Sequence, residues 1–466
     1  VSTRTALPRI LFLAHRTPYP PNRGHRIRSY HTIRFLSRYA VVDTVFLADE
    51  PLTDDVVHGL RQVCERVVPV AVERRLRWLR GLAWLALGRT ATEGLFYSPR
   101  LNRQIAALRR EQSYDWVIAY CSSMAPYLRH AGMPPERCVL DMVDADSQKW
   151  FDYAAHAHWP ARALYRLEGR RLRRLECGVA KSVRWVTLVS AAECDVFRRF
   201  CPAENVVAVE NGVDGEYFHP DAVFHPDAGP DSEPGRLTQT PSANQLALPH
   251  QLRSAWCPPS GQYLPSARCS PSGRCLPADH RPSCVFTGAL DYRANADGLL
   301  WFLSAVWPGV RSRRPDATFW IVGKGAGRAL REAANQAGVH LTGDVPDVRP
   351  YLAASVVVAP LRIARGIQNK VLEGMAMARP VVASPQALEG LTVSPGEHVV
   401  QAVEPADWIA ALDRLWMSPE ERDRLGQSAR RLVEAYYTWT ARLRVLRELL
   451  ALSQPREMPA EAADRT

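Results

Sequence analysis

Lys370 and Glu373 stand one helical turn apart, just behind a loop that carries Arg362, Arg365 and Gly366. An ammonium suits a diphosphate as a point charge, and a carboxylate suits the two hydroxyls of a ribose. A phosphate partner and a diol partner at this spacing suggest a nucleotide. The same residues would also suit an ordinary βαβ unit with charges on its surface. A second constellation is Asp141-Met142-Val143-Asp144-Ala145-Asp146-Ser147, which follows an apolar strand. Asp144 there could orient a hydroxyl, whereas Asp-rich turns commonly serve only as caps and turn formers.

The elements that must hold these side chains are legible around them. An apolar run reaches Pro360, passes the Arg362 to Gly366 loop, enters a helix with Lys370 and Glu373, and returns to a second apolar run at Val381 to Ala383. This is a strand-loop-helix-strand unit. In open α/β sheets a ligand sits beyond the carboxyl ends of the strands, where a loop and a helix N-terminus offer backbone N–H groups to a phosphate. Gly366 would let the backbone come close to it.

Near the N-terminus, Ile10 to His15 reads as a buried first strand, followed by a Pro-rich loop ending at Gly24 and a helix from about Arg26 to Arg38. No G-x-G-x-x-G follows that strand, which argues against a dinucleotide cofactor. Val209-Glu210-Asn211-Gly212-Val213-Asp214 carries a turn signal at Asn211-Gly212 after a β-branched run.

Met375-Ala376-Met377-Ala378-Arg379-Pro380-Val381-Val382-Ala383-Ser384 behind Glu373, the Asn211 segment with Phe218 and Pro220, and Val285-Phe286-Thr287-Gly288-Ala289-Leu290-Asp291-Tyr292 with Asn295 and Asp297 behind it form one pattern. The pattern resembles the retaining glycosyltransferases of family 4, in particular the sugar transferases of bacterial exopolysaccharide and PEP-CTERM/exosortase loci. The resemblance implies an α/β chain of GT-B fold: two Rossmann-like domains facing across a cleft, with a C-terminal helix crossing back to the N-terminal domain. It implies transfer of a sugar, with retention and without a metal or other cofactor, from a nucleotide-sugar donor to a glycan or lipid-linked acceptor.

By the same resemblance Arg362 and Lys370 would stabilise charge on the departing diphosphate. Gly24, Arg293, Gly366, Asn369 and Glu373 would bind the donor, with Glu373 on the ribose. Asp144 would act on the acceptor from the N-terminal domain. Family members usually carry two glutamates at a fixed spacing. Arg365 stands at the first of those positions, a departure that touches the donor-sugar contacts. Two other readings fit the same fold: a nucleotide-sugar 2-epimerase, and a non-catalytic binding or scaffold subunit.

The 466 residues are 47% hydrophobic, enough for two cores. The pattern divides them at 1–220, an N-terminal acceptor domain; 221–283, a Pro- and Ser-rich insertion expected to be disordered; 284–430, a C-terminal nucleotide-sugar domain; and 431–466, a crossover helix and tail. No apolar run approaches the roughly 20 residues needed to span a bilayer. Ten cysteines without a C-x-x-C pair read as ordinary thiols of a reducing cytoplasm, and Cys257, Cys269, Cys275 and Cys284 lack zinc spacing.

The formal net charge is +11, and it is clustered. Arginines alternate with leucines at helical spacing through 162–184, and 74–87 mixes Arg with Trp and Leu. Basic amphipathic helices of this kind suit an anionic membrane surface as well as a solvated domain face, which leaves two expectations open for a cytoplasmic protein: free, or peripheral on the inner membrane as the resemblance would allow. No nucleic-acid-binding motif accompanies them, so nucleic acid is not an expected partner.

Overall fold

The computed structural model describes residues 7–21, 24–72, 74–221, 282–364 and 367–452, with the backbone of 268–269 and 275–276. The expected insertion at 221–283 lies almost wholly outside them. Of it, only Asp221, the ends at Pro282 and Ser283, and the two-residue antiparallel strands β8 (Arg268–Cys269) and β9 (Cys275–Leu276) are described.

The chain forms two compact units. The first has seven parallel strands: β1 (Arg9–Ala14), β2 (Val41–Ala48), β3 (Arg66–Ala71), β4 (Trp116–Tyr120), β5 (Cys138–Val143), β6 (Trp185–Leu188) and β7 (Val206–Ala208). Their order is β3-β2-β1-β4-β5-β6-β7. Ile10 pairs with Val42 on one side and Trp116 on the other, so the order reverses at β1. Ile10 to Ala14 are completely buried, as expected of a parallel strand covered on both faces. The helix after β1 runs Gly24–Ser37, starting slightly earlier than its periodicity suggests.

Residues 442–452 belong to this first unit although they lie near the end of the chain, whereas 213–441 belong to the second. Trp185 Nε1 donates to the Leu449 carbonyl, Arg442 pairs with Glu210 at 2.7 Å, and Arg447 lies over the Tyr39 ring. The C-terminal helical pattern is broken just before this return. Helix Pro419–Leu432 passes into a π-turn at Val433–Tyr437, and Thr438 is extended.

The second unit has six parallel strands: β10 (Ser283–Thr287), β11 (Thr318–Val322), β12 (Val339–Gly343), β13 (Val356–Ala359), β14 (Val381–Ala383) and β15 (Val400–Gln401). Their order, β12-β11-β10-β13-β14-β15, is that of a Rossmann half-pair. The reversal falls between β10 and β13, where Cys284 pairs with Val356. Cys284 is a buried core residue of β10. Among the described residues no helix is long and apolar enough to cross a membrane, and no three His, Cys, Asp or Glu side chains are placed to hold a metal ion.

Candidate functional site

In the second unit the switch point brings two loops together. The loop after β10 leads into helix Arg293–Trp301, and the loop after β13 leads into helix Asn369–Ala376. Neither helix has a side-chain N-cap, so their first N–H groups and the positive dipole ends are open to an anion. Two packing constraints set the geometry. A Cβ on Gly298 would stand 2.3 Å from the Pro360 carbonyl oxygen, so the first helix lies directly against the start of the second loop. Gly288 has φ +151°, which lets the first loop pass close beside Asn295. Ser384 then fixes the far side, donating to the carbonyls of Ala359 and Leu361.

Lys370 is 9% exposed and crosses from the second helix to the first. Its Nζ donates to Asn295 Oδ1 at 3.0 Å and reaches Gln368 Oε1 at 3.5 Å, above the Phe286 ring. Asn295 is held in turn by its Nδ2 donating to the Ala289 carbonyl at 2.8 Å. Burial lowers the Lys370 ammonium to about 8, against an opposing pull from Glu373. Burial likewise pushes the Glu373 carboxyl up to about 7, with Lys370 drawing it down. Both groups therefore sit near neutrality, and both would gain from a ligand that supplies charge or hydrogen bonds.

Of the other expected donor residues, Asn369 is exposed at the start of its helix and Arg293 is exposed at the start of the other. Arg362 is 58% exposed, and its nearest carboxylate is Asp297 at 4.0 Å. A contact of that length on the surface holds the side chain weakly. The buried Asp297 Oδ2 and the Thr287 hydroxyl have no hydrogen-bond partner among the described residues. Gly366 and Arg365 lie outside the described residues. The structure thus brings Lys370, Glu373, Asn369, Arg362 and Arg293 to one end of one sheet.

Gly24 and Asp144 belong to the first unit. Gly24 opens its helix in open space, where a Cβ would meet nothing within 4 Å. Asp144 is paired with Lys149 at 2.8 Å, and Lys149 also pairs with Asp146 at 3.0 Å. Val143 just before it has φ +69° and Cys121 at the end of the adjacent β4 has φ +74°. Two non-glycine residues in that region at neighbouring strand ends mark a backbone held in place by its surroundings.

Sequence reasoning assigned no role to Arg28, one of the first unit's most buried charges. Arg28 is fully enclosed and grips Asp141 with two bonds, Nε to Oδ2 at 3.1 Å and Nη2 to Oδ1 at 2.9 Å. Its Nη1 donates to the Val209 carbonyl and to Asn211 Oδ1. Asn211-Gly212, expected as a turn, forms none; Asn211 is instead an acceptor for this arginine. In the second unit, Arg430 was also missed. It donates to the carbonyls of Ala376, Phe218 and Gly215, tying the 213–220 segment to the end of the Lys370 helix. An arginine in an amphipathic helix reads as exposed, so neither residue carries a sequence signal of burial.

Residues 281–418 match the family model described as Glycosyl transferases group 1. The fold is similar to that of Anabaena Alr3699/HepE in complex with UDP, at TM-score 0.57 and 14% identity over 95% of this chain and 99% of that one. It is similar also to sucrose-phosphate synthase (tll1590) from Thermosynechococcus elongatus, at TM-score 0.57 and 15% identity over 96% of this chain and 100% of that one. A third is WaaG, a glycosyltransferase involved in lipopolysaccharide biosynthesis, at TM-score 0.53 and 12% identity over 94% of this chain and 99% of that one. No curated protein matches the chain. The fold is GT-B, built of two Rossmann-like domains, and its second unit carries the group 1 domain.

Proposed function

We propose that the protein is a glycosyltransferase that binds a nucleotide-sugar through its second domain and passes the sugar, with retention of configuration and without a metal, to a glycan or lipid-linked acceptor held by its first. The observation that carries this reading is the buried Lys370, aimed across the switch point at Asn295 with Glu373 one turn behind it, inside the segment that matches the group 1 family. A diphosphate arriving at two uncapped helix starts would meet N–H groups, Lys370 and the loosely held Arg362. Charge developing on the departing diphosphate would be met by the same groups. Arg293, Asn369 and Gly366 surround the donor in this reading, and Glu373 takes the ribose diol.

In the first domain this reading gives Gly24 a part in binding donor phosphate and gives Asp144 the orienting of the acceptor hydroxyl. The acceptor residues of this reading fall within 1–212 and the donor residues within 213–441, so the boundaries at 220 and 430 suggested by the sequence pattern shift to 212 and 441. Supply of sugars to an exopolysaccharide, in the setting of a PEP-CTERM/exosortase locus, follows from the sequence resemblance. The UDP named with the Anabaena structure makes uridine diphosphate the first ligand to try.

The test is a thermal-shift series of the folded protein with UDP, GDP, TDP and ADP and their sugar conjugates, since a ligand bound only by the folded state raises its melting temperature. A selective rise that is lost in Lys370→Ala and Glu373→Ala supports the assignment. No rise with any nucleotide overturns it in favour of a non-catalytic subunit, and donor isomerisation without an acceptor would identify an epimerase.

A further inference from the structure

Helix Arg74–Ala86 in the first unit turns an apolar face to solvent. Trp78, Leu79 and Leu82 are each 65% exposed and Leu87 just beyond is 76% exposed. Ala83 and Ala86 fill the same stripe, opposite the buried Gly81 and Leu85. These positions recur at helical spacing, so they form one continuous strip rather than scattered side chains. Within this strip Arg80 is turned away: its Nε donates to the Gly94 carbonyl at 2.6 Å and its guanidinium lies over the Tyr97 ring. Exposed apolar surface gathered in one patch marks a place where something else binds.

Charge decides what binds. Helix Ala161–Ala180 adjoins the end of this strip, because Arg171 Nη1 donates to the carbonyls of Leu85 and Arg89. Its outward residues include Arg162, Arg166, Arg170 and Arg174, with Leu164 and Leu167 exposed among them. Its two carboxylates are both turned inward. Glu168 accepts from the N–H groups of Ala91 and Thr92, and Glu176 accepts from the Ser147 N–H. Helix Arg74–Ala86 contains no acidic residue at all. The outward charges of the two adjoining helices are therefore all arginine, beside an uncharged strip of tryptophan and leucine. Trp159, 84% exposed, stands at the start of the second helix.

We propose that these two helices form a docking surface for an anionic lipid bilayer, with the Trp78–Leu79–Leu82 strip entering the interface and the arginines of helix Ala161–Ala180 meeting lipid phosphates. A helix of 13 residues is too short to span a bilayer but suited to lying in its surface. A protein partner of ordinary composition would be expected to meet such a strip with carboxylates placed for particular arginines. A bilayer needs only a uniform negative sheet, which is what one-sided arginine complements.

The inference does not depend on sugar transfer, and its test needs no donor. The full chain is sedimented with vesicles of phosphatidylglycerol mixed with phosphatidylcholine, and with vesicles of phosphatidylcholine alone. The expected result is binding to the mixed vesicles that weakens with salt and is much poorer on phosphatidylcholine alone. Arg166→Gln with Arg170→Gln should lower partitioning by about five-fold per arginine. Trp78→Ser with Leu82→Ser should lower it further, with the melting temperature unchanged because both side chains are exposed. A folded protein that ignores the mixed vesicles at low salt, or whose two double variants bind as the parent does, overturns the proposal. So does self-association of the free protein that vanishes in the Trp78/Leu82 variant without a change in vesicle binding, because that would give the strip to a second copy of the chain.

Discussion

Replacing Lys370 by methionine tests the site through its electrostatics without any ligand. Burial has lowered the lysine to about 8 from an ordinary 10.5. Holding it charged in the folded protein at pH 7 then costs about 3 kcal/mol, at ~1.4 kcal/mol per unit. Between pH 8 and 10.5 the unfolded chain carries a proton on this residue that the folded chain has shed, so wild-type stability rises with pH through that window. By about pH 10 the remaining cost is of order 1 kcal/mol.

Lys370→Met has no such titration. It does leave Asn295 Oδ1 without its donor, a penalty of roughly 1–3 kcal/mol, but that penalty is independent of pH. Wild type should therefore gain about 2–3 kcal/mol on the variant between pH 7 and pH 10. Urea unfolding of both proteins across this range, extrapolated to water, measures the difference directly. A difference that stays flat within about 0.5 kcal/mol, or moves the other way, would refute a buried and strained Lys370.

Glu373→Gln should show the opposite window. The folded carboxyl holds its proton up to about pH 7 while the unfolded one loses it near 4.5, so wild type should lose about 3 kcal/mol relative to the glutamine variant as pH rises between those values. Gly298→Ala should destabilise the protein by about 1–3 kcal/mol, because the new methyl would stand 2.3 Å from the Pro360 carbonyl oxygen; an unchanged melting temperature would show that the contact is not tight. Arg28→Met should cost about 3–5 kcal/mol by stranding the Asp141 carboxylate, and adding Asp141→Leu should restore most of it in the same urea assay.

Much of this protein was written in local pattern. β1, β10, β13 and β14 appear as apolar runs because a strand covered on both faces must be apolar throughout, and the order of runs and helices implies parallel sheets. The Lys370 and Glu373 pair could be placed on one helix face because three residues make nearly one turn. The Arg/Leu spacing of helix Ala161–Ala180 and the Trp/Leu content of helix Arg74–Ala86 were legible for the same reason.

Contacts between distant segments were not legible. Asn295 meets Lys370 from 75 positions away, and Arg28 meets Asp141 from 113. Such pairs depend on which strands become neighbours at the two switch points. No short-range periodicity records that. Nor does periodicity say which charged side chains turn inward: Arg28 and Glu168 are buried while Arg166 and Arg170 face water. Inward charges survive only where a partner waits on another element, and only the assembled unit supplies one. Local sequence determined which elements form and what each could present; packing decided which of their charges became a site, a strut or a surface.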